Sequence, residues 1–280
     1  MTLKIDTHQH FWNLAKVEYS WLAPAFGPIY REFTPQELAP QLIKAGIDKT
    51  VLVQSANNTD DTVSMLTQAE CYDWIGAVVG WVPLTDHKTT NALLDRYGAH
   101  SKWRGVRHLN HDEADPNWLV RKDVLGGLKL LEARKMTFDA VAVFPKHIGH
   151  IPTLANHAPD LTIVIDHMAK PPIKDKKINE WKAAMRAAAE CPNVNVKISG
   201  LNTAANWITW SADDLKPYID AAVELFGPGR CMFGSDWPVA VLAGDYAKVW
   251  RETKAALRGY AKKDVESILG GAAQRVYKIV

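Results

Sequence analysis

A chain of 280 residues is long enough for two domains, yet α/β barrels of roughly 200–250 residues fold as one unit, so length alone leaves both layouts open. With 47% hydrophobic and 23% charged residues the chain can bury a large core, which excludes disorder, collagen-like repeats and small stapled scaffolds. Lys+Arg 33 against Asp+Glu 31 gives a formal net charge of +2, far from the basic surplus of a nucleic-acid binder, so a small-molecule partner is expected. Cys71, Cys191 and Cys231 are odd in number and lack paired spacing, which argues against disulfides and cysteine zinc sites. The N-terminus lacks an apolar signal region and no stretch reaches the roughly 18 apolar residues of a membrane span, so no membrane role and a cytoplasmic location are expected.

In chain order, eight short apolar runs rich in β-branched residues read as strands: Leu3–Thr7, Thr50–Gln54, Gly76–Val82, Gly105–His108, Phe138–Phe144, Thr162–Asp166, Val194–Ile198 and Cys231–Gly234. Helical segments lie between them. Pro35–Ala45 follows Thr34, an N-cap residue with Pro at the first helical position, and Trp181–Ala189 and Ala247–Leu257 are similar. Repeated βα units predict a parallel sheet, and eight of them fit a closed (β/α)₈ TIM barrel better than an open doubly wound sheet. No Gly-rich dinucleotide loop follows the first strand, and the polar break Lys170–Lys177 is too short to be a linker. Residues 1–280 are therefore read as a single domain.

Barrel enzymes place their reacting groups at the C-terminal ends of strands. Four predicted strands end in groups that bind metal or move protons. The first runs into Asp6-Thr7-His8-Gln9-His10, where histidines two apart on an extended strand share a face. The fourth ends Val106-Arg107-His108, the sixth Ile165-Asp166-His167, and the eighth Phe233-Gly234-Ser235-Asp236-Trp237-Pro238. Each signal alone has a plain structural reading: a histidine satisfied in the core, Asp236 closing a turn on its own backbone, Arg107, Lys170 and Lys197 paired with neighbouring carboxylates. Their coincidence at strand ends of one barrel points to an active site made of His8, His10, His167 and Asp236. Tryptophans gather nearby: Trp12, Trp207, Trp210 and Trp237 follow predicted strand ends, Trp81 lies at the end of the third predicted strand, and Trp21 lies in the long loop Val17–Arg31, placed to cap a pocket.

The segments Asp6–Trp12, Arg31–Pro35, Thr50–Gln54, Gly80–Val82, Arg104–His108, Asp166–Pro172, Lys197–Leu201 and Phe226–Val239 together resemble the amidohydrolase superfamily. Within it they are most similar to the branch that opens sugar and aromatic lactones, such as L-fucono-, L-rhamnono- and 2-pyrone-4,6-dicarboxylate lactones. The resemblance implies a hydrolase of the carboxylic-ester (lactonase) type with His8 and His10 as the strand-one pair, His167 on strand six and Asp236 on strand eight. Binuclear members carry a carboxylated lysine or glutamate at strand four and a histidine at strand five; here those strands end in Arg107-His108 and Val143-Phe144-Pro145, with His147 and His150 only in the following loop. At most one divalent ion, Zn²⁺, is then expected on His8, His10, His167 and Asp236, or none, since the branch includes metal-independent enzymes.

Opening a lactone requires an activated water, a stabilised oxyanion and a proton for the departing oxygen. Asp236 is expected to move that proton, His8, His10 and His167 to orient the water, and Arg107, His108, Trp21, Lys170 and Trp237, with Lys197 as a weaker candidate, to contact the substrate. The expected substrate is a five- or six-membered aldonolactone, and the protein a monomer or homodimer. A mononuclear-metal decarboxylase and a non-catalytic sugar-acid binder are the alternatives.

Overall fold

The computed structural model describes residues 2–280. Eight strands form one parallel sheet in the order β1-β2-β3-β4-β5-β6-β7-β8: β1 Ile5–Gln9, β2 Lys49–Val53, β3 Ile75–Gly80, β4 Trp103–His108, β5 Thr137–Ala140, β6 Thr162–Ile165, β7 Val194–Ile198 and β8 Cys231–Phe233. The ends of this sheet meet. The Asp236 amide donates to His8 O at 2.8 Å, the His10 amide to Trp237 O at 2.8 Å, and Thr7 Oγ1 to Phe233 O at 2.6 Å, which closes the barrel between β8 and β1. A principal helix follows each strand: α1 Pro35–Ala45, α2 Thr59–Cys71, α3 His87–Gly98, α4 Lys122–Ala133, α5 Ile151–His157, α6 Ile178–Ala189, α7 Ala212–Phe226 and α8 Tyr246–Ala256. The fold is the (β/α)₈ barrel expected from the spacing of apolar runs.

Local chemistry explains the helix limits. In α1, Pro35 fits the first turn, where an amide would have no partner, and Pro35, Leu38 and Leu42 form the buried stripe. Gly46 ends it in the left-handed region at φ 67°, its amide bonded to Leu42 O and Ile43 O. Thr34 occupies the N-cap position but its side chain accepts no bond there. Side-chain caps do hold α2 (Asn58 to the Asp61 amide), α3 (Asp86 to the Thr89 amide) and α8 (Asp245 to the Lys248 amide), and Ser211 with Asp214 forms a capping box on α7.

Three strands end two or more residues from where their apolar runs suggest. β1 extends through Gln9, so His8 lies within the strand. β3 stops at Gly80 because the Trp81 amide turns to Thr62 Oγ1 at 2.8 Å. β5 stops at Ala140, opposite Ile165, where its neighbour β6 also ends and enters a left-handed turn. The N-terminal mouth of the barrel is filled by the C-terminal segment: Ala272, Ala273, Val276, Tyr277 and Ile279 pack with Ile5, Val51, Val53, Ala77, Val79, Val164 and Met232. That segment crosses so close that a Cβ on Gly270 would lie 1.6 Å from Leu3 O. With the floor plugged, the C-terminal rim is the open end. Among the described residues no helix is long and apolar enough to cross a membrane.

Candidate active site

Strand alternation decides which side chains reach the barrel axis. His8 and His10 both point inward from β1 and its continuation, and His167 and Asp236 enter from the turns that follow β6 and β8. Three imidazole nitrogens converge on one carboxylate oxygen: Nε2 of His10, His8 and His167 lie 3.5, 3.8 and 3.9 Å from Asp236 Oδ1. All four side chains are buried, and the spacing is that of groups sharing a small central occupant rather than bonding each other.

Both turns that deliver these groups are strained and tied down. After β6, His167, Met168, Ala169 and Lys170 all have φ between 50° and 60°, four successive side-chain-bearing residues in the left-handed region. Trp181 Nε1 donates to Met168 O at 2.8 Å and the Phe144 amide to Ala169 O at 2.8 Å, which hold the run in place. Asp236 is itself left-handed at φ 59°. The turn before it is fixed by Asp6, whose Oδ1 accepts the amides of Ser235 (2.8 Å) and His8 (3.1 Å) and whose Oδ2 accepts Tyr246 OH (3.0 Å). Gly200, at φ 61°, comes so near that a Cβ would sit 2.8 Å from His167 Nδ1 and 2.9 Å from Asp236 Oδ2.

Beneath the centre lies a buried ionic layer. Lys197 on β7, fully buried, meets Asp139 Oδ2 at 2.5 Å, Asp166 Oδ1 at 3.1 Å and His8 Nδ1 at 3.1 Å. Arg107 Nε donates to Asp166 Oδ2 at 2.6 Å and its Nη1 to Gln54 O at 2.8 Å. Tyr277 OH, from the C-terminal plug, donates to Asp139 Oδ2 at 2.9 Å. Two cations facing two carboxylates balance the layer, which is the condition for burying such charges. Burial pushes the His8 imidazole well below its ordinary pKa and that of His167 down to about 4, so both are neutral near pH 7. Burial opposes ionisation of Asp236, but His167, His10 and His8 outweigh it and hold the carboxyl below the usual carboxylate range.

Above the centre opens a cavity of about 700 Å³. Its polar lining includes Arg107, Lys170, His111 and Asp112, and its apolar lining Trp21, Phe26, Ile29, Leu242 and Trp207. Trp21 is anchored there by Nε1 donating to Ser55 O at 2.7 Å. Of the residues expected to touch substrate, Arg107, Lys170 and Trp21 line this cavity, and His108 and Trp237 do not. His108 follows Arg107 on β4 and so faces outward, where Trp81 Nε1 donates to its Nδ1 at 3.0 Å, Glu113 meets its Nε2 and Trp118 stacks on its ring at 3.8 Å. Trp237 is packed edge-on against Phe11 and Phe33 under the rim. Trp12 and Trp210 are likewise buried, their Nε1 groups bonded to Ile29 O and Ala243 O. Lys197 sits below the pocket as an ion-pair partner.

Sequence reading gave no role to Asp139, Asp166, His111 or Asp112. Asp139 and Lys197 carried a signal nonetheless, since a charge within a short apolar strand is seldom buried unless paired with another. His111 and Asp112 follow β4 in a loop with no motif, and only the fold brings them to the cavity.

An ion is compatible with this donor set. His8, His10 and Asp236 each bring one ligand atom to within 4.8 Å of the others, as do His8, Asp166 and His167. Nδ1 of His10 is committed to Val53 O at 2.7 Å, which leaves Nε2 free toward the centre, and Nδ1 of His167 pairs with Ser199 Oγ at 2.9 Å.

A closed (β/α)₈ barrel with histidines from its first and sixth strands and an aspartate from its eighth converging at the C-terminal rim defines a class of barrel hydrolases. The chain belongs to the amidohydrolase family, which it matches over residues 5–279. It is 37% identical to an L-fucono-1,5-lactonase of Burkholderia ambifaria, over 100% of this chain and 97% of that protein. An L-fucono-1,5-lactonase of Burkholderia multivorans is 33% identical over 99% of this chain and 96% of its own length. A crystal structure of an amidohydrolase from Burkholderia multivorans with bound zinc is similar at a TM-score of 0.91 and 32% identity, covering 99% of this chain and 100% of that one.

Proposed function

We propose that this protein hydrolyses a sugar-acid lactone, an aldonolactone of the L-fucono or L-rhamnono kind, by attack of a water held between Asp236 and the imidazoles. The observation that carries the reading is the convergence of three Nε2 atoms on Asp236 Oδ1 at 3.5–3.9 Å, at a cavity that Arg107 and Lys170 line together with Trp21 and Trp207. Whole-length similarity to two L-fucono-1,5-lactonases supports the same substrate class.

Asp236, ionised at neutral pH, takes a proton from the water and returns it to the ring oxygen as the acyl–oxygen bond breaks. The imidazoles orient that water. Arg107 has two of its nitrogens committed to Asp166 and Gln54, which fixes the guanidinium plane, and as a residue lining the cavity it suits a substrate oxygen. Lys170 lines the same wall and suits hydroxyl or carbonyl oxygens. Trp21 and Trp207 offer flat surfaces to the C–H side of a ring. Where a divalent ion such as Zn²⁺ is bound, Asp236 with His10 and His167, whose Nε2 atoms lie 3.5 and 3.9 Å from its Oδ1, would hold it, with His8 beside them, and it would supply positive charge that acidifies water and polarises a carbonyl. An alcohol is a better leaving group than an amine, so lactone opening does not demand a binuclear centre. The enzyme is read as cytoplasmic, a monomer or homodimer.

The test is a panel of L-fucono-, L-rhamnono-, galactono- and arabinono-lactones followed by pH-stat, with and without chelator. Turnover of one or more members is expected. Release of carbon dioxide from aromatic acids with no lactone opened would replace this reading with a decarboxylase.

A further inference from the structure

The ionic layer under the site contains a contact that lactone hydrolysis by itself does not require. Lys197 Nζ approaches His8 Nδ1 to 3.1 Å in hydrogen-bonding geometry, the two residues lying 189 positions apart in the chain. The ammonium also faces Asp139 and Asp166, and with two carboxylates on it its third proton is directed at the imidazole. An ammonium has no lone pair and donates only, so Nδ1 must accept. A neutral imidazole that accepts at Nδ1 carries its proton at Nε2. The competing arrangement, an Nδ1–H turned to Asp166 Oδ1 at 3.3 Å, would set a ring N–H against an ammonium N–H at 3.1 Å, while Asp166 already faces the ammonium through Oδ1 and Arg107 through Oδ2. On the other side of the ring, His8 Nε2 is buried and unpartnered, 3.8 Å from Asp236 Oδ1.

We infer that Lys197 is a positioning residue that locks His8 as the Nε2–H tautomer, making His8 a hydrogen-bond donor aimed into the centre and not a lone-pair ligand for a cation. His10 is set the opposite way: its Nδ1 donates to the Val53 carbonyl, so its neutral tautomer has the lone pair at Nε2. The two histidines of one His-x-His pair thus have opposite functions: His10 accepts, His8 donates. The orphaned Nε2–H is a buried donor awaiting an acceptor, as a site does that binds a carbonyl or alkoxide oxygen. The oxygen's source rests on the lactone reading; the tautomer does not.

Two measurements decide the tautomer without an activity assay. In ¹⁵N-histidine-labelled wild type at neutral pH with metal removed, His8 is identified as the resonance lost in His8→Gln. Its Nε2 is expected at the protonated-nitrogen shift and its Nδ1 at the lone-pair shift; the reverse overturns the inference. The charge-balanced double variant Lys197→Met/Asp139→Asn removes the donor while Asp166 keeps Arg107 and is freed to accept from Nδ1. His8 Nε2 then becomes a ligand, and zinc affinity by chelator competition is expected to rise at least about tenfold. Unchanged or weaker zinc binding, with circular dichroism and melting showing a folded variant, overturns the inference. If the variant fails to fold, the wild-type spectrum alone decides. Neither readout depends on which substrate is turned over, so failure of the lactone reading is separable from failure of this one.

Discussion

In the proposed reaction Asp236 moves the proton, and its surroundings set its pH behaviour. Asp236→Asn keeps the shape and removes the proton acceptor, so kcat on the best lactone is expected to fall about 10³-fold with the melting temperature little changed; a fall of less than tenfold would remove Asp236 from the role. Because the imidazoles hold its carboxyl below the usual carboxylate range and His167 protonates only near about 4, kcat/KM is expected to stay level from about pH 8 to about pH 5 and to fall below that. A pH-stat profile bending near pH 6 or above would contradict this. Asp61, buried on α2 and accepting the Ser55 and Ala56 amides, behaves in the opposite sense, its carboxyl pushed up to about 6 by burial. The folded state then holds that proton more tightly than the unfolded chain, so the wild type loses stability as pH rises from about 4 through 6. Asp61→Asn, which keeps an oxygen for both amides, is expected to gain up to about 3 kcal/mol relative to wild type between pH 4 and pH 7 in urea titrations. What was legible at this scale followed from alternation. His8 with His10, and Arg107 against His108, are sorted by strand parity, but parity was not applied to His108, and a buried partner such as Asp139 is invisible without register.

At the level of elements, the turn after β6 holds the longest run of left-handed residues among the described ones. Four consecutive left-handed residues cost about 1–2 kcal/mol each, offset by the bonds from Trp181 and Phe144. Lys170 closes that run at φ 50°, and among the described residues its ammonium makes no ion pair. Lys170→Gly is expected to raise stability by about 1 kcal/mol, read as a higher urea midpoint, while KM for the lactone rises and kcat changes less. A fall in stability would show that the side chain supports the turn. The strands were readable because a buried parallel sheet needs continuous β-branched runs, and β7 matched its run Val194–Ile198 end for end. Their C-terminal ends were less readable. Val141–Phe144 is as apolar as the strand before it, yet it leaves the sheet because its neighbour has already turned away. Such an ending depends on the next strand and has no local signature.

Over the whole molecule, the described residues carry one eight-stranded barrel with its helices and the loops that join them. The near-neutral charge of +2 conceals a concentrated arrangement, since Lys197, Arg107, Asp139 and Asp166 cancel within the barrel. Closure also carries a kinetic consequence. Thr7 meets Phe233 across 226 positions, and the same seam brings His8 and His10 to Asp236. Contacts of such long range form late, because chain entropy must be surrendered before they are made. A partly folded chain with most of its helices in place therefore has no assembled centre. On dilution from urea, lactone turnover is expected to recover with the slowest phase seen by tryptophan fluorescence, and to lag behind helix recovery in the far-ultraviolet. The seam that makes the barrel continuous thereby couples catalytic competence to completion of the fold, and a half-folded molecule opens no lactone.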